Sequence, residues 1–405
     1  MTKCKFYGII SALIEGVDRV KNLFINDLNE KDVEHCTTDI GLWLRRVSDK
    51  PFKKLCNIFT NANIIKKDEG TGKSDEEYFS SLSSEYIPSE KYDIKENKNN
   101  IIVERYPKLN PNEPYIFVCN HTCPEDIETV LNILDRNAYL ILGSIESLKY
   151  NPEMYLSFIN GMIPFDIMDS KQRKEVYQKM LRVLKTNSIL IFPEGSHNYS
   201  PNNLINPLFD GPVNLALQTK RKIVILTMLK DQEKNISYID VSNPIDVENI
   251  SVDTDSIKTD NDTEFEKNYV KSLSSSIRDR MATAVYYIIE RHFKQLTRSE
   301  HEDIEEDLRM EKIIDAFSKL KWNNDVFDAE YLVKKPKEVS EYEDVVSSIS
   351  NLVLNNATLT EASKNDWVLK SKDIDHKNVV KRMRDYWLST DKKIEKQKVL
   401  KKENR

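Results

Sequence analysis

Tyr115-Ile116-Phe117-Val118-Cys119-Asn120-His121-Thr122-Cys123-Pro124-Glu125-Asp126 is the stretch on which the fold turns. Its first five residues carry no charge and are mostly β-branched or aromatic, the signature of a strand buried on both faces. Pro124 suits the first turn of a helix, where the N–H it lacks has no partner anyway. A helical pattern then runs through Leu134. Strand, short loop and helix make the first half of a βαβ unit.

The pattern repeats downstream. Ala138–Leu142 and Ser188–Phe192 read as strands, and Lys222–Met228 as a strongly apolar one. Lys174–Leu184, with Val176, Met180, Leu181 and Leu184 on one face, and Val213–Gln218 read as helices. Strands that are apolar throughout, alternating with helices, predict an α/β domain over residues 101–250, with a largely parallel sheet flanked by helices.

The flanks differ in composition. Residues 1–66 read as helical: Val17, Val20, Leu23, Phe24 and Leu28 recur at helical spacing, and so do Ile40, Trp43, Leu44 and Val47. Residues 67–100 are polar, from Gly70-Thr71-Gly72-Lys73-Ser74-Asp75 to Glu96-Asn97-Lys98-Asn99-Asn100, and predict a linker with one short helix. Residues 265–405 form a helical region with three amphipathic faces, the first through Val270, Leu273, Ile277, Met281, Ala284, Val285 and Ile288, and a basic tail from Lys377. Trp43, Trp322, Trp367 and Trp387 are expected on helix faces as core or partial cover, and His35, His292, His301 and His376 at the surface.

Composition excludes several classes. The 405 residues carry a net charge of −6, against a dedicated nucleic-acid binder. With 9 glycines there is no G-x-G-x-x-G or G-x-x-x-x-G-K-[ST] phosphate loop. The longest strongly apolar charge-free run, Met154–Phe165, falls short of the roughly 20 residues that a membrane span needs. Five cysteines, an odd number in a long chain, predict a reducing, cytoplasmic compartment.

Two segments carry chemistry. His121 precedes a helix whose first turn holds Asp126; a carboxylate there can accept from one imidazole nitrogen and leave the other to take a proton. Phe192-Pro193-Glu194-Gly195-Ser196-His197 also ends a strand. Each has a plain alternative, a capped helix start and a Pro-Glu-Gly turn. Between them lies Gly161-Met162-Ile163-Pro164-Phe165-Asp166, a turn followed by a strand.

In this order the three segments resemble the motifs of the glycerolipid acyltransferases, the group of the lysophosphatidic acid and glycerol-3-phosphate acyltransferases. Asn120, His121 and Asp126 match N-H-x4-D. Phe192 to Ser196 match F-P-E-G-[ST]-R, and Gly161 to Asp166 match the second motif in part. Ile223–Thr227 is a loose match to the fourth, an apolar strand. The resemblance implies acyl transfer from a thioester on coenzyme A or acyl carrier protein to a lipid hydroxyl. It makes His121 the general base and Asp126 its orienter. Asn120, Gly161, Glu194, Gly195, Ser196, His197 and Arg173 become substrate-binding candidates. No bound cofactor, metal or nucleic acid is implied; the acyl thioester is a co-substrate, and the lipid acceptor implies peripheral docking on a membrane surface. Two positions depart from the family: His197 and Ile167 stand where arginines bind the acceptor's phosphate. Lys171 and Arg173 are the nearest replacements in sequence.

Three rival readings remain. Cys119, His121 and Cys123 form C-x-H-x-C, but a zinc site wants a second ligand pair. A Cys123 nucleophile leaves F-P-E-G without a role. A non-enzymatic scaffold built on an acyltransferase-like core leaves His121, Asp126 and Glu194 without one.

Overall fold

The computed structural model describes residues 34–67, 72–81, 86–123, 125–142, 157, 159–165, 169–195, 197–198, 205–206, 208–255, 257–259 and 261–293. The helical faces expected before residue 34 and after residue 293, and the basic tail, lie outside the described residues.

The strands are β1 (Ala62–Lys66), β2 (Asn99–Arg105), β3 (Ile116–Cys119), β4 (Ala138–Leu142), β5 (Met162–Pro164), β6 (Ser188–Ile191), β7 (Ile223–Asp231) and β8 (Ile236–Val241). The helices are α1 (Asp39–Val47), α2 (Asp49–Phe59), α3 (Asp75–Ser81), α4 (Asp126–Ile133), α5 (Ser170–Val183), α6 (Gly211–Thr219) and α7 (Asp262–His292). One eight-stranded sheet has the order β1-β2-β8-β7-β3-β6-β4-β5. Every described pairing is parallel except β7 with β8. The expected α/β architecture is present.

Strand chemistry explains the sheet's interior. All residues of β3, β7 and β8 are buried, because helices cover both faces. From β3 the chain crosses through α4 to β4, beyond β6. It then returns through α5 and α6 to β6 and β7. Right-handed crossovers taken in opposite directions put α4 on one face and α5 and α6 on the other. α2 packs on α4, and α7 packs on α6, β7 and β8. The apolar face expected along α7 is the one that packs: Leu273, Ile277, Met281, Ala284, Val285 and Ile288 are all buried.

Several expectations change. The helical reading of residues 1–66 misses β1, which pairs with β2 at the sheet edge. The 67–100 stretch is no free linker where it is described. Tyr78 and Phe79 of α3 are buried, Ile87 N–H donates to the Arg291 carbonyl, and β2 begins at Asn99. Asp75 accepts from Arg105 Nη1 at 2.5 Å, and Arg105 also holds Asp240 through two nitrogens at 3.1 and 2.8 Å. Polar residues here form buried pairs, so polarity did not mean exposure.

His292 is not at the surface. It is 2% exposed, stacks on Tyr238, and its Nε2 lies 2.9 Å from Glu104 Oε1. Lys67 and Arg291 also pair with Glu104. Burial alone would raise the Glu104 carboxyl, but the His292 contact and the two cations outweigh it and hold it at about 2.

Trp43 is not core. On α1 the buried face is Gly41, Leu42 and Arg45, while Ile40, Trp43, Leu44 and Val47 are 73, 53, 48 and 55% exposed. The helical period was right and the buried side was the other one.

Candidate active site

Strands β3 and β6 are parallel neighbours, with Val118 opposite Ile191. Three residues further along each chain, His121 and Glu194 meet at the same end of the sheet. The His121 backbone N–H donates to Glu194 Oε1 at 2.9 Å, and the Asn206 N–H donates to Glu194 Oε2 at 2.7 Å. Asn198 N–H returns a bond to the His121 carbonyl at 2.7 Å. Loops at the carboxyl ends of parallel strands are where such sheets build sites.

Asp126, at the start of α4, is fully buried. Its Oδ2 lies 2.8 Å from His121 Nδ1 and accepts the Thr122 and Cys123 backbone N–H groups at 2.9 and 3.3 Å. Burial alone would raise its carboxyl; attraction and hydrogen bonding from His121 outweigh that and lower it below the ordinary value. An ionised Asp126 accepts Nδ1–H and leaves the lone pair on His121 Nε2. The His121 ring packs against Phe192 and His197, with centroids at 4.7 and 3.7 Å. Burial, and then repulsion from His121, push His197 down to about 3, so its imidazole stays neutral.

Cys119 and Cys123 do not join this cluster. Both are buried, and burial pushes both thiols well above their ordinary range, so neither is an available thiolate. The described cysteines, Cys36, Cys56, Cys119 and Cys123, are all free and buried.

Residues 96–229 match the family model described as Acyltransferase. This segment belongs to the acyltransferase family. Among solved structures, the 1-acyl-sn-glycerophosphate (LPA) acyltransferase PlsC from Thermotoga maritima is similar at 13% identity, over 67% of this chain and 91% of that one, with a TM-score of 0.32. No curated protein matches the chain.

Within the acyltransferase domain, several residues expected to bind substrate have other partners. Asn120 is fully buried; its Oδ1 accepts Met228 N–H at 2.7 Å and its Nδ2 donates to the Met228 carbonyl at 2.8 Å. It extends the β3–β7 ladder past its last paired residue, Cys119. Glu194 is likewise fully buried, and both its oxygens accept backbone N–H groups, so it joins loops where it was expected to touch the acceptor. Gly161 stands at the amino end of β5, away from the site. Its φ is +104°, and a Cβ there would lie 2.8 Å from Tyr139 and Arg45, so close packing requires the glycine. Arg173 is exposed on α5, which follows edge strand β5, with β4 between that strand and β6. Gly195 is exposed in the site loop with φ +70°, a conformation that favours glycine. Ser196, Asp166 and Ile167 lie outside the described residues.

Sequence reasoning missed Lys230. It is 8% exposed on β7, and its Nζ is 3.3 Å from Glu125 of the His121 loop. A lysine at the end of a long apolar strand was the available signal. A cleft of about 700 Å³ lies between the amino end of β7 and the loop after β8, lined by Lys73, Asp75, Lys222, Asn243 and Arg280; the His121 cluster takes no part in it.

Proposed function

We propose that the domain moves a fatty acyl group from an acyl thioester, on coenzyme A or acyl carrier protein, to a hydroxyl of a glycerolipid-like acceptor, a lysophospholipid or a 1-acylglycerol-3-phosphate. The observation that carries the reading is the 2.8 Å contact between His121 Nδ1 and Asp126 Oδ2. With that nitrogen as donor, Nε2 takes the acceptor's hydroxyl proton as the oxygen attacks the thioester carbonyl. Asp126 stabilises the imidazolium that forms. The tetrahedral intermediate collapses, the C–S bond breaks, and the imidazolium returns its proton to the departing thiolate. Atoms balance without a covalent enzyme intermediate or a resident cofactor.

A second reading of the acceptor is favoured by His197. A phosphate monoester carries up to two charges and is costly to bury without strong cationic donors. A neutral imidazole supplies no formal charge, which favours a phosphodiester or uncharged glycolipid at that subsite. Competition between lysophosphatidic acid, a lysophosphodiester and a neutral glycolipid separates the two readings.

The acceptor's lipid character calls for peripheral docking. No described helix is long and apolar enough to cross a membrane. The exposed Ile40, Trp43, Leu44 and Val47 of α1, with Ile58 of α2 and the exposed Arg46, Lys50 and Lys54, combine apolar and basic groups suited to an anionic lipid surface.

The test is thioester consumption with a panel of lipid acceptors. The wild type is expected to release free thiol only when an acceptor is present. His121→Ala is expected to lose about 10²–10⁴-fold in turnover, the usual contribution of a positioned base. Turnover within a few-fold of wild type would overturn the assignment.

A further inference from the structure

We propose that His121, Asp126 and His197 form a three-ligand site for a divalent transition-metal cation of the Zn²⁺ type, and that the bound cation silences the site. Each residue offers one ligand atom, and these atoms lie within 4.8 Å of one another. Zinc bonds to imidazole and carboxylate are about 2.0–2.2 Å, which puts tetrahedral ligand atoms about 3.4 Å apart. Side-chain rotation has to close the difference and turn the edges of the two imidazoles, whose ring centroids are 3.7 Å apart, toward one ion.

The donors suit such an ion. Two imidazoles and one carboxylate match zinc, cobalt or nickel, whereas Mg²⁺ and Ca²⁺ prefer all-oxygen shells. Asp126 Oδ1 is buried with no hydrogen-bond partner, while Oδ2 is fully engaged. A cation would give that oxygen the partner it lacks.

The consequence follows from His121. Its Nδ1 is the ring nitrogen beside Asp126, so an ion shared with Asp126 binds Nδ1 and leaves the neutral ring's proton on Nε2. An Nε2 that already carries a proton cannot accept the acceptor's. Occupancy and turnover therefore exclude one another, and chelation restores activity. This second half rests on the proposed acyl transfer; the binding itself does not.

The experiment uses the full-length protein stripped with EDTA and titrated with Co²⁺, which is followed by its visible absorption, and with Zn²⁺ by calorimetry. One equivalent is expected to saturate the site, and Mg²⁺ to leave it empty. His197→Ala and His121→Gln, each checked for native circular dichroism, are expected to bind about 10–100-fold more weakly. Cys123→Ala is expected to bind as wild type does. Thiol release is expected to fall in proportion to occupancy and to recover with EDTA. Absence of saturable binding, or unchanged affinity in both histidine variants, would overturn the site. Faster turnover in the loaded protein would overturn the silencing. A protein that binds one equivalent but transfers no acyl group under any condition would overturn the acyl-transfer reading and leave the metal site standing.

Discussion

Asp126→Asn tests the catalytic geometry most directly. The substitution keeps the shape of the side chain and removes its charge. In the wild type, Asp126 Oδ2 sits 2.8 Å from His121 Nδ1 inside a fully buried setting. When His121 takes the acceptor's proton, a cation forms beside that carboxylate, with charge centres about 4 Å apart. At an effective dielectric near 20 the attraction is about 4 kcal/mol, or about three decades in rate at 1.36 kcal/mol per decade. A second effect acts in the same direction. If the amide turns its NH₂ toward Nδ1, the imidazole is held in the other tautomer and Nε2 carries a proton it cannot accept twice. We expect kcat to fall about 10³-fold, read as free-thiol release under saturating thioester and acceptor. The KM for the thioester is expected to change little, since the carboxylate is buried. In the other rotamer the amide oxygen keeps the Oδ2 position and still accepts the Thr122 and Cys123 N–H groups, so circular dichroism should remain native. A natively folded variant with kcat within tenfold of wild type would refute the assignment of Asp126 as the partner of a general base.

Glu194→Gln puts an amide NH₂ against a backbone N–H, from either His121 or Asn206; we expect a loss of about 2 kcal/mol and a Tm lower by roughly 4–8 °C, and an unchanged Tm in calorimetry would show that Glu194 does not stitch the two loops. Trp43→Ser is expected to weaken co-sedimentation with anionic vesicles several-fold at constant Tm; unchanged binding would remove α1 as the docking surface. Glu104, at about 2 in the fold against an ordinary 4.5, contributes ~3 kcal/mol that is fully present above pH 4.5 and lost as pH falls toward 2. Urea midpoints from pH 6 to 3 should fall steeply for the wild type and less steeply for Glu104→Gln, and parallel slopes would reject that origin.

The sequence by itself determined the strand–loop–helix order from Ile116 to Met228, because runs such as Ile116-Phe117-Val118-Cys119 have one stable use, a strand covered on both faces. It also determined the His121–Asp126 contact, since a helix that starts at Asp126 can place its first carboxylate only a short distance from a histidine five residues earlier. The metal-ligand possibility and the roles of Asn120, Glu194 and Gly161 were not legible in the same way. His121 and His197 come together only because β3 and β6 are neighbours in one register, a pairing across more than 70 residues that no local period encodes. Asn120 and Glu194 looked like ligand contacts because they are polar and stand at strand exits. Burial gave them backbone partners instead, and a buried polar group must be satisfied. Composition misread residues 67–100 for the same reason: Asp75, Glu104, Arg105 and His292 are polar one by one, and only the packing of α3, β2, β8 and α7 brings their opposite charges together. On α1 the period of apolar residues was clear. Which side of the helix faces the core depended on where Leu42 and Arg45 meet the rest of the chain, and that is decided by the tertiary structure alone.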